Sequence, residues 1–209
     1  MRSVLRSLAR NISRPINYNT ILSDTTTSTQ SPSVSLATIR TYIDALNRLH
    51  IVDSIPAWSP QLRSKTEIRT SEKLNLVDPS LAVAALFSSE KDLMHDIKTF
   101  GLIFESLCTR DLNVYSKSLN GDISYYRDSY GRECDAVVHL HDGRWGLIEV
   151  KLGSAESIDS AAKNLTKLQS DIDTSSMGNP SFLMVLTATR HAYRREDGVY
   201  VVPIGCLKP

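Results

Sequence analysis

The sequence predicts an α/β protein in two parts, and three observations support this expectation. Residues 1–72 fit three helices followed by two extended segments. The remaining elements follow the order helix, three strands, helix and strand, which is typical of a mixed sheet covered by helices. The length of 209 residues is enough for one large domain or two smaller ones with apolar cores. We therefore expect one domain over residues 1–72 and another over residues 73–209.

The first part begins with three predicted helices. Residues 3–10 place Val4, Leu5 and Leu8 on one side and arginines on the other, and residues 18–24 fit a second short helix. A polar loop follows, and Ser33 or Ser35 can cap the third helix. That helix has apolar residues at three- and four-residue steps, namely Ile39, Tyr42, Ile43, Leu46 and Leu49.

Two extended segments, residues 51–58 and 67–77, complete the first part. Three helices followed by a β-hairpin is the order of a winged helix-turn-helix, which can insert its last helix into the major groove of DNA. We expect DNA contacts from cations on the third helix and on the turn of the hairpin, namely Arg40, Arg48, Arg63 and Lys65. The same fold can also serve as a protein-interaction platform, and the pattern does not choose between these roles.

The charge distribution also divides the chain. Residues 1–73 contain ten Lys and Arg against five Asp and Glu, a net charge of +5, whereas residues 74–209 contain fourteen against eighteen, a net charge of −4. A basic first part suggests a surface that faces phosphate. An ordinary solvated surface explains the same numbers.

Composition excludes several classes of protein. No apolar run is long enough for a membrane span, and the N-terminus lacks the features of a secretory signal. The three cysteines are isolated in sequence, which argues against a zinc site and against a disulfide framework. We expect a cytoplasmic protein without membrane contact.

The second part alternates helices and strands. Residues 73–79 fit a strand ended by Pro79, and residues 79–87 fit a short buried helix. A longer helix over residues 98–115 turns five apolar residues towards a core, namely Phe100, Ile103, Phe104, Leu107 and Leu112. Strands are expected at residues 123–127, 133–140, 145–151, 181–187 and 198–203, with a helix at 157–172.

The chemistry concentrates on two neighbouring predicted strands. Asp135 enters the first strand, and Glu149 and Lys151 close the second after a glycine-containing turn at residues 141–144. Because side chains alternate along a strand, Glu149 and Lys151 share a face, and Asp135 can lie beside them if the strands are antiparallel. Two carboxylates and an ammonium suit a magnesium-dependent phosphodiesterase.

These residues also carry a family resemblance. The matching segments are KLNLVDPSL (residues 73–81), GLIFESL (101–107), YRD (126–128), ECD (133–135), GRWGLIEVK (143–151) and AKNL (162–165). The chain resembles the C-terminal region of bacterial and archaeal ATP-binding proteins of the AAA type, domain-of-unknown-function family 4143. The resemblance covers nearly the whole chain and implies a restriction-endonuclease-like fold, similar to the PD-(D/E)xK nuclease superfamily.

The resemblance implies roles for individual residues. Glu105, on the first core helix, matches a glutamate that joins Asp135 and Glu149 at the metal, Mg²⁺ or Mn²⁺, and Lys151 matches the catalytic lysine. Cys134 stands where the proline of the motif is expected. A polar residue of the following helix supports the site, and Lys163, Asn164 and Lys167 are all candidates.

The resemblance also implies an AAA-type ATPase module as a partner, in the same chain or a related one. The phosphate-binding motif G-x-x-x-x-G-K-[ST] is absent from this sequence, so no P-loop nucleotide site is expected here.

Two functions follow from these expectations. The first is a metal-dependent nuclease with a DNA-binding winged helix. The second is a catalytically silent regulatory module that binds DNA or protein on a nuclease scaffold, since Lys151 between two carboxylates is satisfied without a metal.

Overall fold

The computed structural model describes residues 1–26, 34–60, 71–128, 130–175 and 177–208. The chain divides into two compact units, the first formed by Met1–Ile55 and Ser71–Leu107 and the second by Pro56–Thr70 and Cys108–Pro209. The boundary expected between residues 72 and 73 lies inside the first unit, because the strand that begins at Lys73 pairs with a strand of that unit.

The first unit begins with three helices and a two-stranded ribbon. The helices are α1 (Arg2–Arg10), α2 (Tyr18–Thr26) and α3 (Leu36–Arg48), and the strands are β1 (Val52–Ile55) and β2 (Lys73–Leu76). Ser35 caps α3 by accepting a hydrogen bond from the Thr38 N–H. β1 and β2 are antiparallel, with Val52 opposite Leu76. The three helices and the antiparallel pairing of two strands after them are confirmed, while the winged helix-turn-helix stays an interpretation of their order.

The first unit continues with α4 (Pro79–Leu86) and α5 (Glu90–His95). Asp78 caps α4 and Pro79 occupies its first turn, where a missing N–H costs no helical hydrogen bond. The helix expected at residues 79–87 is present, but the expectation that it is buried was wrong, since Leu81 is 41% exposed. α5 was not predicted; Ser89 and Asp92 form a capping box at its start.

The next helix, α6 (Ile97–Ser118), contributes its first half to the first unit and its second half to the second unit. Ile103, Phe104 and Leu112 are buried as expected, whereas Phe100 and Leu107 are only partly buried.

The second unit is built on a mixed six-stranded sheet. Its strands are β3 (Gly121–Arg127), β4 (Glu133–Leu140), β5 (Trp145–Lys151), β6 (Phe182–Thr187), β7 (Tyr193–Arg194) and β8 (Tyr200–Pro203). They lie in the order β3-β4-β5-β6-β8-β7. β3, β4 and β5 form an antiparallel meander, and β5, β6 and β8 are parallel. The predicted α/β class is confirmed, although the short strand β7 was missed.

A helix, α7 (Ala155–Asp171), connects β5 to β6 and packs on both strands. Ser154 caps it by accepting a hydrogen bond from the Ser157 N–H. Its apolar face, including Ile158, Leu165 and Leu168, is buried in the core that β4, β5 and β6 share. Because α7 is packed on the sheet in this way, its polar side chains beside β4 and β5 are held in defined positions.

β4 contains one residue more than its partner β3. Ser124 lies opposite Val137 and Tyr126 opposite Cys134, so two steps on β3 correspond to three on β4. This β-bulge lies at Asp135 and Ala136 and breaks the alternation of the strand. As a result Cys134 and Val137 both enter the same core.

The segment after β1 belongs to the second unit. The Tyr125 N–H donates to the Pro56 carbonyl at 3.0 Å, and the Trp58 N–H donates to the Tyr125 carbonyl at 2.7 Å. Trp58 is buried against Trp145, with ring centroids 4.9 Å apart. The strand expected over residues 51–58 therefore splits, because its last residues extend the sheet beside β3 rather than continuing the ribbon.

Nowhere in the part of the chain that the structure describes is a helix long and apolar enough to cross a membrane.

Candidate functional site

The start of β4 and the end of β5 bring three charged side chains together. Glu149 and Lys151 are two residues apart on β5 and share a face. Asp135 lies at the bulge of β4, where its Oδ2 accepts a hydrogen bond from the Val150 N–H at 2.8 Å. This hydrogen bond attaches the carboxylate of one strand to the backbone of the next and aims Asp135 at the end of β5.

The ammonium of Lys151 contacts both carboxylates. Its Nζ is 2.8 Å from Glu149 Oε2 and 3.5 Å from Asp135 Oδ2. The convergence of Asp135, Glu149 and Lys151 expected from strand alternation is therefore present in the structure. We call these three residues the acidic–lysine site.

Asn164 of α7 completes the surroundings of Glu149. Its Nδ2 donates to Glu149 Oε1 at 2.6 Å and to the Glu133 carbonyl at 3.1 Å. The sequence left three candidates for a supporting residue, and Asn164 is the one that contacts the acidic–lysine site. Lys163 and Lys167 lie exposed on the same helix.

Burial determines the electrostatics of Glu149. The residue is only 4% exposed, and this desolvation, followed by the charge of Asp135, raises the pKa of Glu149 to about 8. Lys151 acts in the opposite direction but does not outweigh the other two effects. Without a cation, burial therefore favours the protonated, neutral form of Glu149.

Cys134, which precedes Asp135 on β4, has a packing role. It is fully buried, and its thiol donates to the carbonyls of Ile148 and Ala136. Burial and then the charges of Glu149 and Asp135 raise the pKa of the Cys134 thiol. A neutral thiol in the core is a poor nucleophile, so this residue fills space beside the site.

Glu105 lies in the first unit, and its structural partner there was not foreseen. Its Oε1 accepts a hydrogen bond from Lys73 Nζ at 2.8 Å, and both side chains are largely buried. Across the described ranges, no group of three or more His, Cys, Asp or Glu residues is placed to hold a metal ion. The role that the resemblance implies for Glu105 stays a prediction.

The acidic–lysine site fits a hard divalent cation through its donor set. Mg²⁺ is commonly held by one or two carboxylates, with water and substrate phosphate completing the shell. Asp135 and Glu149 supply two carboxylates on adjacent strands, and the pKa of Glu149 is raised first by burial and then by the charge of Asp135. Mg²⁺ or Mn²⁺ would favour the ionised form of Glu149 and so offset this effect.

The cations expected to contact DNA lie in two places. Arg40 and Arg48 are exposed on α3, and the Arg40 guanidinium lies 5.2 Å from the centre of the Tyr18 ring. Arg63 and Lys65 lie outside the described residues. Their roles in DNA binding stay predictions.

Comparison with known proteins gives two family models and one distant structure. Residues 1–92 match the family model described as Domain of unknown function (DUF8612), and no curated protein matches. A solved structure is described as a refined half-complex from a tetradecameric assembly of Thermococcus gammatolerans McrB AAA+ hexamers with bound McrC. It is similar at 8% identity and a TM-score of 0.33, over 97% of this chain and 70% of that one. Residues 100–207, about half of the chain, match the family model described as Domain of unknown function (DUF4143), and the protein belongs to this family.

Proposed function

We propose that the second unit is a magnesium-dependent phosphodiesterase that cleaves nucleic acid at the acidic–lysine site. The supporting observation is that one ammonium lies 2.8 Å and 3.5 Å from two carboxylates that come from neighbouring strands. Two neighbouring carboxylates can hold a divalent cation, and a lysine beside them can act on the reacting water. The restriction-endonuclease-like fold implied by the resemblance is part of this proposal.

Each side chain then has a defined task. Asp135 and Glu149 hold the cation, and Asn164 fixes the Glu149 carboxylate by donating to Oε1. When bound, the cation polarises a phosphoryl oxygen and lowers the pKa of a water. Lys151 donates hydrogen bonds that orient the attacking water and stabilise negative charge as it develops on the phosphate.

A silent regulatory module is the second candidate, and one observation favours it. Lys151 bonds Glu149, Asp135 bonds the Val150 N–H, and Asn164 bonds the remaining oxygen of Glu149. The polar groups of the site therefore satisfy one another within the protein. In this alternative the chain binds DNA or protein without hydrolysis, and an AAA-type ATPase module remains a proposed partner for either function.

Cleavage assays with matched variants separate the two candidates. Purified protein is incubated with Mg²⁺ or Mn²⁺ and supercoiled, branched or single-stranded DNA. The nuclease proposal expects cleavage that Asp135→Ala abolishes, that Lys151→Ala strongly slows and that Asp142→Ala retains, since Asp142 is exposed in the turn before β5. Cleavage that survives Asp135→Ala removes this site from consideration.

Metal binding provides a second, independent measurement. Calorimetric titration with Mn²⁺ is expected to show a site that Asp135→Asn weakens strongly. Glu105→Gln decides the remaining prediction of the resemblance: lost Mn²⁺ affinity assigns Glu105 to the metal, and unchanged affinity assigns it to the pair with Lys73.

A further inference from the structure

The six-stranded sheet has two ends with different charge patterns. We call the end where β4 starts and β5 and β6 finish the site end, since Lys151 lies opposite Thr187 there. The other end carries the turn between β4 and β5 and is called the turn end.

Three cations at the turn end have acidic partners. Lys117 pairs with Asp122, His141 lies 3.0 Å from Asp122, and Arg144 lies 2.7 Å from Asp142. A phosphate that approached these three cations would compete with carboxylates already in place. They are therefore poor contacts for a polyanion.

Several cations at the site end are paired as well. Arg127 is 3.6 Å from Glu133, and Arg132 contacts Asp128 and lies 3.4 Å from Asp171. Three other cations differ from them: Arg190, Lys163 and Lys167 are exposed and form no ion pair with any residue in the described ranges. These three can bind a phosphate without giving up an acidic partner.

Arg190 follows β6 in a segment that is held against the end of β5. Thr189 packs against Gly153, where an added Cβ would lie 2.4 Å from Thr189 Cγ2, and Gly153 has a φ of +122°. The hydroxyls of Thr187 and Thr189 are 2.7 Å apart. Because Gly153 is two residues beyond Lys151, this packing fixes the backbone at Arg190 close to the acidic–lysine site.

The two lysines lie on α7 beside the residue that contacts the site. Asn164 bonds Glu149, Lys163 precedes it, and Lys167 is three residues further on and therefore a neighbour on the helix surface. Lys163 and Lys167 are four residues apart, so they project from one exposed side of α7.

We propose that Lys163, Lys167 and Arg190 form a phosphate-binding track that holds the backbone of duplex DNA across the acidic–lysine site. The inference rests on the proposed phosphodiesterase function and names residues that bind its substrate. Contacts from such cations carry affinity and orientation, with no sequence preference. Residues 74–209 have a net charge of −4, so this part of the chain as a whole does not attract DNA. The attraction comes from these three cations, which lack acidic partners among the described residues.

The salt dependence of DNA binding tests the track. The full-length protein is titrated with labelled duplex DNA by fluorescence anisotropy at several salt concentrations, with chelator present to prevent cleavage. Each lost phosphate contact lowers the slope of log affinity against log salt by ~0.9. Arg190→Ala is therefore expected to lower the slope by about one, and Lys163→Ala/Lys167→Ala by about two, equally for two unrelated sequences.

Arg144→Ala is the matched control, since it removes an exposed arginine that already has a partner at the turn end. Its slope is expected to equal that of the unmodified protein. Unchanged slopes in the Arg190 and lysine variants overturn the track. The track is also overturned if an acidic peptide binds the protein and loses as much affinity as DNA does in the same variants.

The track and the phosphodiesterase fail in distinguishable ways. Asp135→Ala is expected to retain the full salt slope, because the carboxylate is not a phosphate contact. Reduced slopes in the cation variants without metal-dependent cleavage support the track and contradict the proposed hydrolysis. Cleavage combined with unchanged slopes supports hydrolysis and contradicts the track.

Discussion

The two ends of the six-stranded sheet both carry acids and cations, but the acids differ in burial. At the turn end, Asp142 and Arg144 are largely exposed to solvent, with side chains 50% and 69% accessible. At the site end, Glu149 is 4% exposed and is the acid whose pKa is raised. Exposed ion pairs are solvated and contribute little to stability. A buried carboxylate beside a second carboxylate is costly, and this burial is the reason why the proposed chemistry is assigned to the site end.

The comparison also separates two kinds of lysine. Lys117 at the turn end has one exposed acidic partner, whereas Lys151 at the site end contacts two acids of which one is buried. These surroundings predict a larger effect from the loss of Lys151 than from the loss of Lys117. Variants at the two ends therefore test the assignment by their contrast.

The largest expected effect is on cleavage. Lys151→Ala is expected to lower the rate of metal-dependent DNA cleavage by about 10²–10³-fold, because it removes a donor to the developing charge. Lys117→Ala is the control at the turn end and is expected to cleave at the unmodified rate. Rates are measured with saturating Mg²⁺ on a single DNA substrate. Equal cleavage rates for the two variants would contradict the assignment of the reaction to the site end.

The next effect concerns stability against pH without metal. The pKa of Glu149 is about 8 in the folded protein and 4.5 when unperturbed, so the folded state binds the extra proton between these values. Stability is therefore expected to fall as pH rises through about 8, by a few kcal/mol at most. Urea unfolding with chelator at pH 6 and pH 9 measures this difference. Glu149→Gln removes the titrating carboxyl group and is expected to reduce the stability difference between pH 6 and pH 9.

Mn²⁺ sharpens the same measurement. A bound cation requires an ionised Glu149, so stabilisation by Mn²⁺ is expected to increase between pH 6 and pH 9. In Glu149→Gln this increase is expected to disappear. Stabilisation that is independent of pH in the unmodified protein contradicts the proposed ligand.

A smaller effect is expected at Asn164. Asn164→Ala removes the hydrogen bond to Glu149 Oε1 and is expected to weaken Mn²⁺ affinity by about 10–100-fold, as is usual for groups that orient a metal ligand. Lys163→Ala, one position earlier on α7, is the control and is expected to retain Mn²⁺ affinity. Calorimetric titration of both variants makes the comparison. Equal losses of Mn²⁺ affinity in both variants would show that any substitution in this part of α7 disturbs the site.

The sequence predicted the parts of the site that depend on local periodicity. Alternation along β5 put Glu149 and Lys151 on one face, and the glycine-containing turn paired β4 with β5. These relations need only a few consecutive residues. The α/β class and most helices were predictable for the same reason.

Other features depend on contacts that no local pattern contains. The bulge at Asp135 is defined only against β3, and the choice of Asn164 over Lys163 and Lys167 depends on how α7 crosses the sheet. The pair of Lys73 with Glu105 joins residues distant in sequence. The local sequence around a polar residue of a helix gives no sign of which distant residue its side chain contacts.

The smallest expected effect lies at the turn end and has the opposite pH direction. The hydrogen bond from Arg144 lowers the pKa of Asp142 below its ordinary value of 3.8. The stability that Asp142 contributes is therefore present above about pH 4 and lost as the pH falls through its lowered pKa. Asp142→Asn is expected to have the same urea midpoint as the unmodified protein at pH 6 and at pH 9 and to differ from it only in acid. If Asp142→Asn altered the stability difference between pH 6 and pH 9 as much as Glu149→Gln does, exposure would not distinguish the acids of the two ends.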